Sequence, residues 1–276
     1  MSALDNPAVQ GGVVPLVVAL VVAGVLAFVP GVGRTPAPWL AVLVGYLAST
    51  WLSTGIAFSP LTATRKVLVI VVFGALAGFA ADLARARSRK LEAALAVGAG
   101  IAAAWAFQSI LVQRETVPAI GIAVAIAGYA AAQTWLLLAQ REDGLRTGAI
   151  GVGLGLATGV AAVLSASIGF LLSGVAIAAG AGALLLVQVL GRREVPAGHA
   201  GAIVIGLGCA LFALGAIMLA EMPWFVAPLL LVVPLGARAL DPRRLRPMAR
   251  ASALVGICVA LALVPIAAAW FAARAS

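Results

Sequence analysis

Five hydroxyl-bearing side chains recur along one apolar segment at the spacing of a helix face. They occupy positions i, i+3, i+4, i+7 and i+8, which share one side of an α-helix at about 100° per residue. Grouped hydroxyls in such a segment can line a hydrated path or bind a solute. They can equally bond to their own helix or join neighbouring helices. The residues are Tyr46, Ser49, Thr50, Ser53 and Thr54.

Two amide side chains and a second tyrosine extend this polar set to other segments. Gln108 and Gln133 lie inside apolar stretches, and Tyr129 precedes Gln133 by about one helical turn. An amide in lipid surroundings needs hydrogen-bond partners, so both glutamines are expected to face protein or water. The whole set predicts a path for a small neutral or amphipathic solute, without a fixed counter-charge for a strongly ionic one.

Carboxylates and histidine, which carry much of enzyme chemistry, are absent from the middle of the apolar segments. The acidic residues all lie in loops or within about one turn of a segment end, so no carboxylate marks a proton or cation relay. His199 is the single histidine, and Cys209 and Cys258 form no metal-binding spacing. The sequence therefore predicts no enzyme activity, no cofactor and no metal.

Asp82 and His199 have simple structural interpretations. Asp82 precedes Arg85 by three residues, which predicts an ion pair at the membrane interface. His199 follows Pro-Ala-Gly in a loop and is expected to be a solvated side chain.

The composition places these residues in a membrane protein. The 276-residue chain is 64% apolar and 10% charged, with a mean hydropathy of +1.16, which leaves too little polar surface for a soluble fold. The net charge of +9 would suit nucleic acid, but the cations lie in short loops between apolar segments. Membrane topology explains them, and no nucleic-acid partner is expected.

Apolar runs of about 17 to 23 residues predict an all-α integral membrane protein with about ten transmembrane helices. Residues 1–276 then form a single membrane domain without a soluble domain. Ten spans also allow a 5+5 inverted repeat with halves 13–139 and 147–273. One division rests on the short uncharged turn Ser165–Ser167, where a single re-entrant segment is the alternative. The predicted spans are 13–28, 39–58, 67–84, 91–111, 120–138, 149–165, 168–190, 202–220, 224–239 and 253–270.

Two basic runs predict how these segments are threaded, because clustered cations stay on the cytoplasmic side during insertion. With the N-terminus outside, most of the 18 cations fall in cytoplasmic loops. Both termini are then outside a cytoplasmic membrane, and the excess of Arg over Lys with abundant Ala and Gly points to a bacterial source. Both runs can also contact anionic lipid headgroups. They comprise Arg85, Arg87, Arg89 and Lys90, and Arg243, Arg244 and Arg246.

Small residues and prolines predict how the helices pack and bend. Gly151, Gly155 and Gly159 recur every four residues, a spacing that lets two helices approach closely. Three prolines punctuate the ninth predicted span, where broken helices form either hinges or packing kinks. They are Pro223, Pro228 and Pro234.

These patterns favour a permease that moves a small neutral or amphipathic solute by alternating access, with the ninth span flexing. The leading alternative is a non-transporting membrane subunit or scaffold whose Gly-rich faces pack against partner helices. A lipid-modifying enzyme at the basic face ranks last, since it lacks an evident nucleophile and base. The expected partners are membrane lipids, a small-molecule solute and partner membrane subunits.

Overall fold

The apolar runs of this chain form helices in the computed structural model, which describes residues 6–29, 32, 35–55, 62–85, 88–240, 242 and 244–275. Within these ranges there is no strand. Arg87 and Arg243 of the predicted headgroup-binding runs lie outside the described residues.

Twelve α-helices follow one another along the described chain. A π-helical turn, Val9–Val13, leads into the first, and a short 3-10 helix, Ala37–Trp39, leads into the second. The helices are α1 (Val14–Phe28), α2 (Leu40–Thr54), α3 (Ala63–Leu83), α4 (Arg89–Ala106), α5 (Gln108–Leu111), α6 (Thr116–Leu138), α7 (Gly144–Leu164), α8 (Ile168–Gly191), α9 (Gly198–Leu219), α10 (Val226–Leu230), α11 (Val232–Ala239) and α12 (Pro247–Ala275).

Seven helical segments of the described chain are long and apolar enough to cross a membrane. An unbroken helix satisfies its own backbone hydrogen bonds, which lipid cannot do. These helices therefore fit a multi-pass membrane protein. The remaining predicted spans coincide with α2, with α4 and with the pair α10 and α11, which are shorter or begin with charged residues. The seven are Val9–Phe28, α3, α6, α7, α8, α9 and α12.

Two predicted spans are divided in the structure. The fourth was expected to be continuous to Leu111, but α4 ends at Ala106, and Phe107 leaves helical geometry with its side chain fully buried. The Pro-rich ninth span is divided at Leu231. Pro234 has no N–H to donate to the carbonyl four residues earlier, which explains the interruption there.

The predicted turn at Ser165–Ser167 is confirmed. The α7 helix ends at Leu164 and α8 begins at Ile168, with Ala166 in the left-handed region at φ +61°. The Ser167 N–H donates to the Ala162 carbonyl at 3.0 Å, a bond that commonly closes a helix C-terminus. The two segments are separate helices and not one re-entrant element.

The predicted glycine stripe on α7 is also confirmed as a packing surface. A Cβ on Gly155 would lie 2.6 Å from the Gly174 carbonyl oxygen, and one on Gly159 would lie 3.0 Å from that of Leu171. A Cβ on Gly151 would lie 2.7 Å from the Ala181 Cβ. The backbones of α7 and α8 are therefore in direct contact, which no larger side chain would permit.

The α9 helix occupies the centre of the bundle. Its residues are buried continuously from Gly198 to Ala216, and it contacts α2, α3, α6, α7 and α8. Two glycines let neighbouring helices approach α9 closely. A Cβ on Gly78 of α3 would lie 2.8 Å from the Ala200 Cα of α9, and a Cβ on Gly206 of α9 would lie 3.1 Å from the Thr134 Cα of α6. Side chains of α9 therefore define the interior along its length.

We expect Gly155→Ala to destabilise the fold by about 1 to 3 kcal/mol, because the added methyl group would overlap the α8 backbone. Thermal unfolding in detergent measures the effect. Gly128→Ala on α6 is the matched control, since nothing lies within 4 Å of a Cβ there and alanine favours helix. Equal shifts in Tm for both variants would contradict the proposed backbone contact.

Candidate functional site

A pocket of about 330 Å³ opens where the end of α2 meets the first turns of α3 and α8. We call it the hydroxyl pocket. Two phenylalanines, Phe170 and Phe212, and the guanidinium-bearing Arg65 also line it. Its hydroxyl-bearing residues are Tyr46, Thr50, Ser53, Thr54, Thr62, Thr64, Ser167 and Ser173.

The predicted hydroxyl face of α2 supplies most of one wall of this pocket. The exception is Ser49, which is 1% exposed and does not line the pocket. Thr50 donates to the Tyr46 carbonyl at 3.0 Å, and Thr54 donates to the Thr50 carbonyl at 3.1 Å. These hydroxyls bond to their own helix as the structural alternative predicted, yet each oxygen keeps lone pairs that can accept from a solute.

Arg65 was missed as a site residue by the sequence analysis. The expectation that the polar set has no fixed counter-charge is wrong for this pocket, because Arg65 lies in the first turn of α3 and lines it. The last turn of α2 and the first turn of α3 line the same pocket. Sequence spacing along α2 alone carries no signal for that proximity.

Aromatic rings form the floor of the hydroxyl pocket. The ring centroids of Tyr46 and Phe212 are 5.4 Å apart, and those of Phe170 and Phe212 are 6.5 Å apart. Phe170 rests on Gly215, where a Cβ would lie 2.3 Å from the ring. The cluster separates the pocket from the interior of the bundle.

A second polar group lies in the middle of the bundle, between α6, α7 and α9. Gln133 is fully buried, and its Nε2 donates to the Gly206 carbonyl at 3.2 Å. Cys209 lies beside Thr158 and close to Tyr129. Within the described residues, the Tyr129 hydroxyl and the Gln133 Oε1 are buried without a hydrogen-bond partner. Gln133 therefore faces the protein interior, as expected, and the Tyr129 hydroxyl faces it too.

Gln108 is not brought to either group. It begins α5, where it is exposed, beyond the break at Phe107. The prediction grouped it with the path because it assumed a continuous fourth helix.

The opposite end of the bundle is held by buried charges, and Asp82 is the first of them. Its carboxylate accepts from the backbone N–H of His199 at 2.9 Å and of Ala200 at 3.1 Å, and lies 2.7 Å from the His199 Nδ1. The predicted pairing of Asp82 with Arg85 is therefore wrong, and so is the prediction of a solvated His199. Unpaired N–H groups at the start of α9 attract the carboxylate, while Arg85 is exposed beyond the end of α3.

Arg141 forms a second buried connection at this end. Its Nη1 lies 2.6 Å from the Glu92 Oε1, with both side chains about one-tenth exposed. The same residue accepts from the Gly198 N–H through its carbonyl at 3.1 Å. Arg141 therefore ties the start of α4 to the end of α6 and the start of α9.

Asp143 forms a third connection. Its side chain accepts from the Arg146 N–H at 3.0 Å, so it caps α7, and it also pairs with Arg250 of α12. Arg250 in turn lies 3.9 Å from Glu194 in the α8–α9 connection. We refer to the region formed by Asp82, Glu92, Arg141, Asp143, His199 and Arg250 as the ion-pair end.

The described residues of the two basic runs are exposed. They lie beside helix termini at the ion-pair end, and they are Arg85, Arg89, Lys90, Arg244 and Arg246. They lie where the sequence placed them, at helix boundaries. Their contact with lipid headgroups stays a prediction.

Two other cavities differ in chemistry from the hydroxyl pocket. A groove of about 450 Å³ between α3, α4 and α9 is lined almost wholly by apolar side chains and glycine. A cleft of about 610 Å³ lies between the α7–α8 turn and the end of α12, and it includes Glu221. Neither combines hydroxyls with aromatic rings.

Within the described ranges, no group of three His, Cys, Asp or Glu side chains could hold a metal ion. No protein-family model matches the sequence, and no curated protein matches it either. The functional interpretation therefore depends on the geometry of the pocket and of the ion-pair end.

We expect Glu92→Gln to destabilise the fold by about 3 kcal/mol, because it would leave the Arg141 charge buried without its nearest partner. Unfolding in detergent measures the change. Glu142→Gln is the matched control, since Glu142 contacts the same arginine at 3.5 Å but is 65% exposed. Its loss is expected to cost less than about 1 kcal/mol. A control that destabilises as much as Glu92→Gln would contradict the importance of burial.

Proposed function

We propose that this protein is a multi-pass permease that moves a small amphipathic solute across a membrane by alternating access. The observation that carries the proposal is an asymmetry between the two ends of the bundle. One end has a pocket lined by hydroxyls and aromatic rings, and the other is closed by buried ion pairs. This is the arrangement expected of a carrier open to one side.

We further propose ten crossings, with both termini outside a bacterial cytoplasmic membrane. The contacts at the ion-pair end are made by the connections after α1, α3, α6, α8 and α11 or by the helix turns next to them. Trp39, for example, donates from Nε1 to the Val195 carbonyl at 3.3 Å. Those connections and the helix turns next to them carry most of the cations, which favours a cytoplasmic ion-pair end. The hydroxyl pocket then opens outside.

The helix contacts support the proposed inverted repeat in part. In two halves of five, α2 corresponds to α8 and α3 to α9, and each of these pairs is in contact, as a two-fold axis passing between them would allow. The α1–α2 contact matches the α7–α8 contact, and the α4–α6 contact matches the α11–α12 contact. Other contacts lack a counterpart among the main helix contacts. They include α12 with α7, α1 with α8 and α6 with α9, whose counterparts would be α6 with α1, α7 with α2 and α12 with α3.

A path along α9 connects the two ends in this proposal. Phe212 lies at the pocket floor, Cys209 one turn further in, and Gly206 a further turn along, about 4.5 Å apart at each step. Tyr129 and Gln133 present unpaired polar atoms beside these inner positions. Buried polar atoms without partners are costly, so they favour a solute or water that visits them.

The Pro-rich region between α10 and α11 is the proposed place for bending. Its helix is already interrupted at Leu231, and both parts contact α12. Movement of α12 would separate Arg250 from Asp143 and open the ion-pair end. In this proposal the movement reaches the hydroxyl pocket through α7 and α8, because α12 packs on α7 and α7 packs on α8, and it closes the pocket.

A scaffold or non-transporting subunit is the second candidate, and the apolar groove between α3 and α4 favours it. A partner helix in that groove would explain why it lacks polar side chains. Recovery of a stoichiometric partner with the purified chain would support this candidate.

Thiol labelling of Ser53→Cys tests the permease proposal, with Cys209 and Cys258 replaced by alanine. A membrane-impermeant reagent added outside is expected to label this position at a rate within about tenfold of an exposed Thr116→Cys control, because water fills the pocket. Failure to label Ser53→Cys from either side, with Thr116→Cys labelled, would mean that the face is packed against protein and would contradict the proposal.

A further inference from the structure

We infer that the hydroxyl pocket binds organic monoanions, with the charged group at Arg65 and an apolar body on the aromatic floor. The inference rests on the proposed function and names the class of solute that it would carry. A carboxylate or sulfonate joined to a small apolar group has the required chemistry.

The charge of the pocket lining is the first argument. Arg65 is its cation, and none of the described residues that line the pocket is acidic. The nearest cleft with a carboxylate is the neighbouring one that contains Glu221, and the two cavities share Ser167. A partly enclosed site of low dielectric strengthens the attraction between a guanidinium and an anion.

The orientation of two helices reinforces this charge. The first turns of α3 and α8 both contribute to the lining, so the partial positive charge at each helix N-terminus lies beside the pocket. Thr62 caps α3 by accepting from the Arg65 N–H, while the Ser167 side chain makes no capping bond to α8. The C-terminal end of α2 also lines the pocket and contributes partial negative charge, so Arg65 is the main source of positive potential there.

The shape of the pocket is the third argument. At about 330 Å³ it lies at the lower end of the range for small-molecule sites. Phe170 and Phe212 offer apolar faces at the floor, and the hydroxyls of α2 and α3 lie between them and solvent. A solute with one polar and one apolar end matches this gradient better than an inorganic ion.

Charged thiol reagents test the inference without knowledge of the natural solute. Ser53→Cys and the reference Thr116→Cys, each without Cys209 and Cys258, are reconstituted in phosphatidylcholine vesicles. Each is labelled with anionic sulfonatoethyl methanethiosulfonate and with cationic trimethylammonioethyl methanethiosulfonate. At each position the labelling rate of the anionic reagent is divided by that of the cationic reagent. The value for Ser53→Cys divided by the value for Thr116→Cys is the normalised ratio, and it is expected to be at least about five.

Substitutions at Arg65 identify the source of this selectivity. Arg65→Gln is expected to bring the normalised ratio to about one, and Arg65→Lys to retain most of it. Lys66→Gln is the matched control, because it removes the same charge one residue along. Lys66 does not line the pocket, and its Nζ lies 4.9 Å from the Trp105 ring centroid. It is expected to change the ratio by less than about twofold.

The anion assignment is overturned if the normalised ratio of the parent is near one, or if Arg65→Gln does not change that ratio. Either result leaves the proposed hydrated pocket unaffected. If neither reagent labels Ser53→Cys while both label Thr116→Cys, the proposed function fails with it. The two failures are therefore distinguishable.

A protection experiment separates a soluble anion from a lipid headgroup. Phenylpropionate is expected to slow the labelling of Ser53→Cys at concentrations where its uncharged amide does not. Equal protection by the amide, or none by either compound, overturns the assignment. Phosphatidylglycerol in the vesicles is the comparison for lipid. If only this lipid slows the labelling of Ser53→Cys relative to Thr116→Cys, the pocket binds a lipid headgroup and the solute assignment is overturned.

Discussion

The carboxylate of Asp82 anchors the helix on which the rest of the bundle is assembled. It binds the first N–H groups of α9 and the ring of His199, so the central helix begins at a fixed height against α3. A negative charge is stabilised at a helix N-terminus, and burial of the carboxylate away from solvent strengthens this interaction. Because α9 also contacts α2, α6, α7 and α8, the position at which it begins affects its register against each of them.

Lipid cannot satisfy a polar group, and that constraint explains the division of the molecule into two chemically different ends. At the ion-pair end each buried carboxylate has a cation or a backbone donor from another helix, which holds those helices together. At the pocket end the hydroxyls of Thr50 and Thr54 donate to carbonyls of their own helix, α2. The first end is therefore held by bonds between helices, whereas in the proposed permease the hydroxyl oxygens of the second end would accept hydrogen bonds from a solute.

Local features were predictable from the sequence, and long-range ones were not. Helical segments, the turn at Ser165 and the glycine face of α7 follow from patterns within about twenty residues, and they agree with the structure. The partners of Asp82 and Glu92 lie 117 and 49 residues away, at distances where spacing carries no information. The prediction for Gln108 was wrong for a related reason. It assumed a continuous helix, whereas the helix breaks at Phe107, whose burial depends on neighbouring helices. The number of membrane crossings and the repeat stay predictions.

Reciprocal accessibility of the two ends tests alternating access most directly. Two single-cysteine variants are compared, with Cys209 and Cys258 replaced in both. One is Ser53→Cys in the hydroxyl pocket, and the other is Thr158→Cys in the buried polar group. Each is labelled from outside and, separately, from the cytoplasmic side. We expect the parent to label only at Ser53→Cys from outside. Adding Glu92→Gln is expected to admit cytoplasmic reagent to Thr158→Cys and to slow labelling of Ser53→Cys. If both rates rise together, or if neither changes, the two ends are not coupled and the account is contradicted.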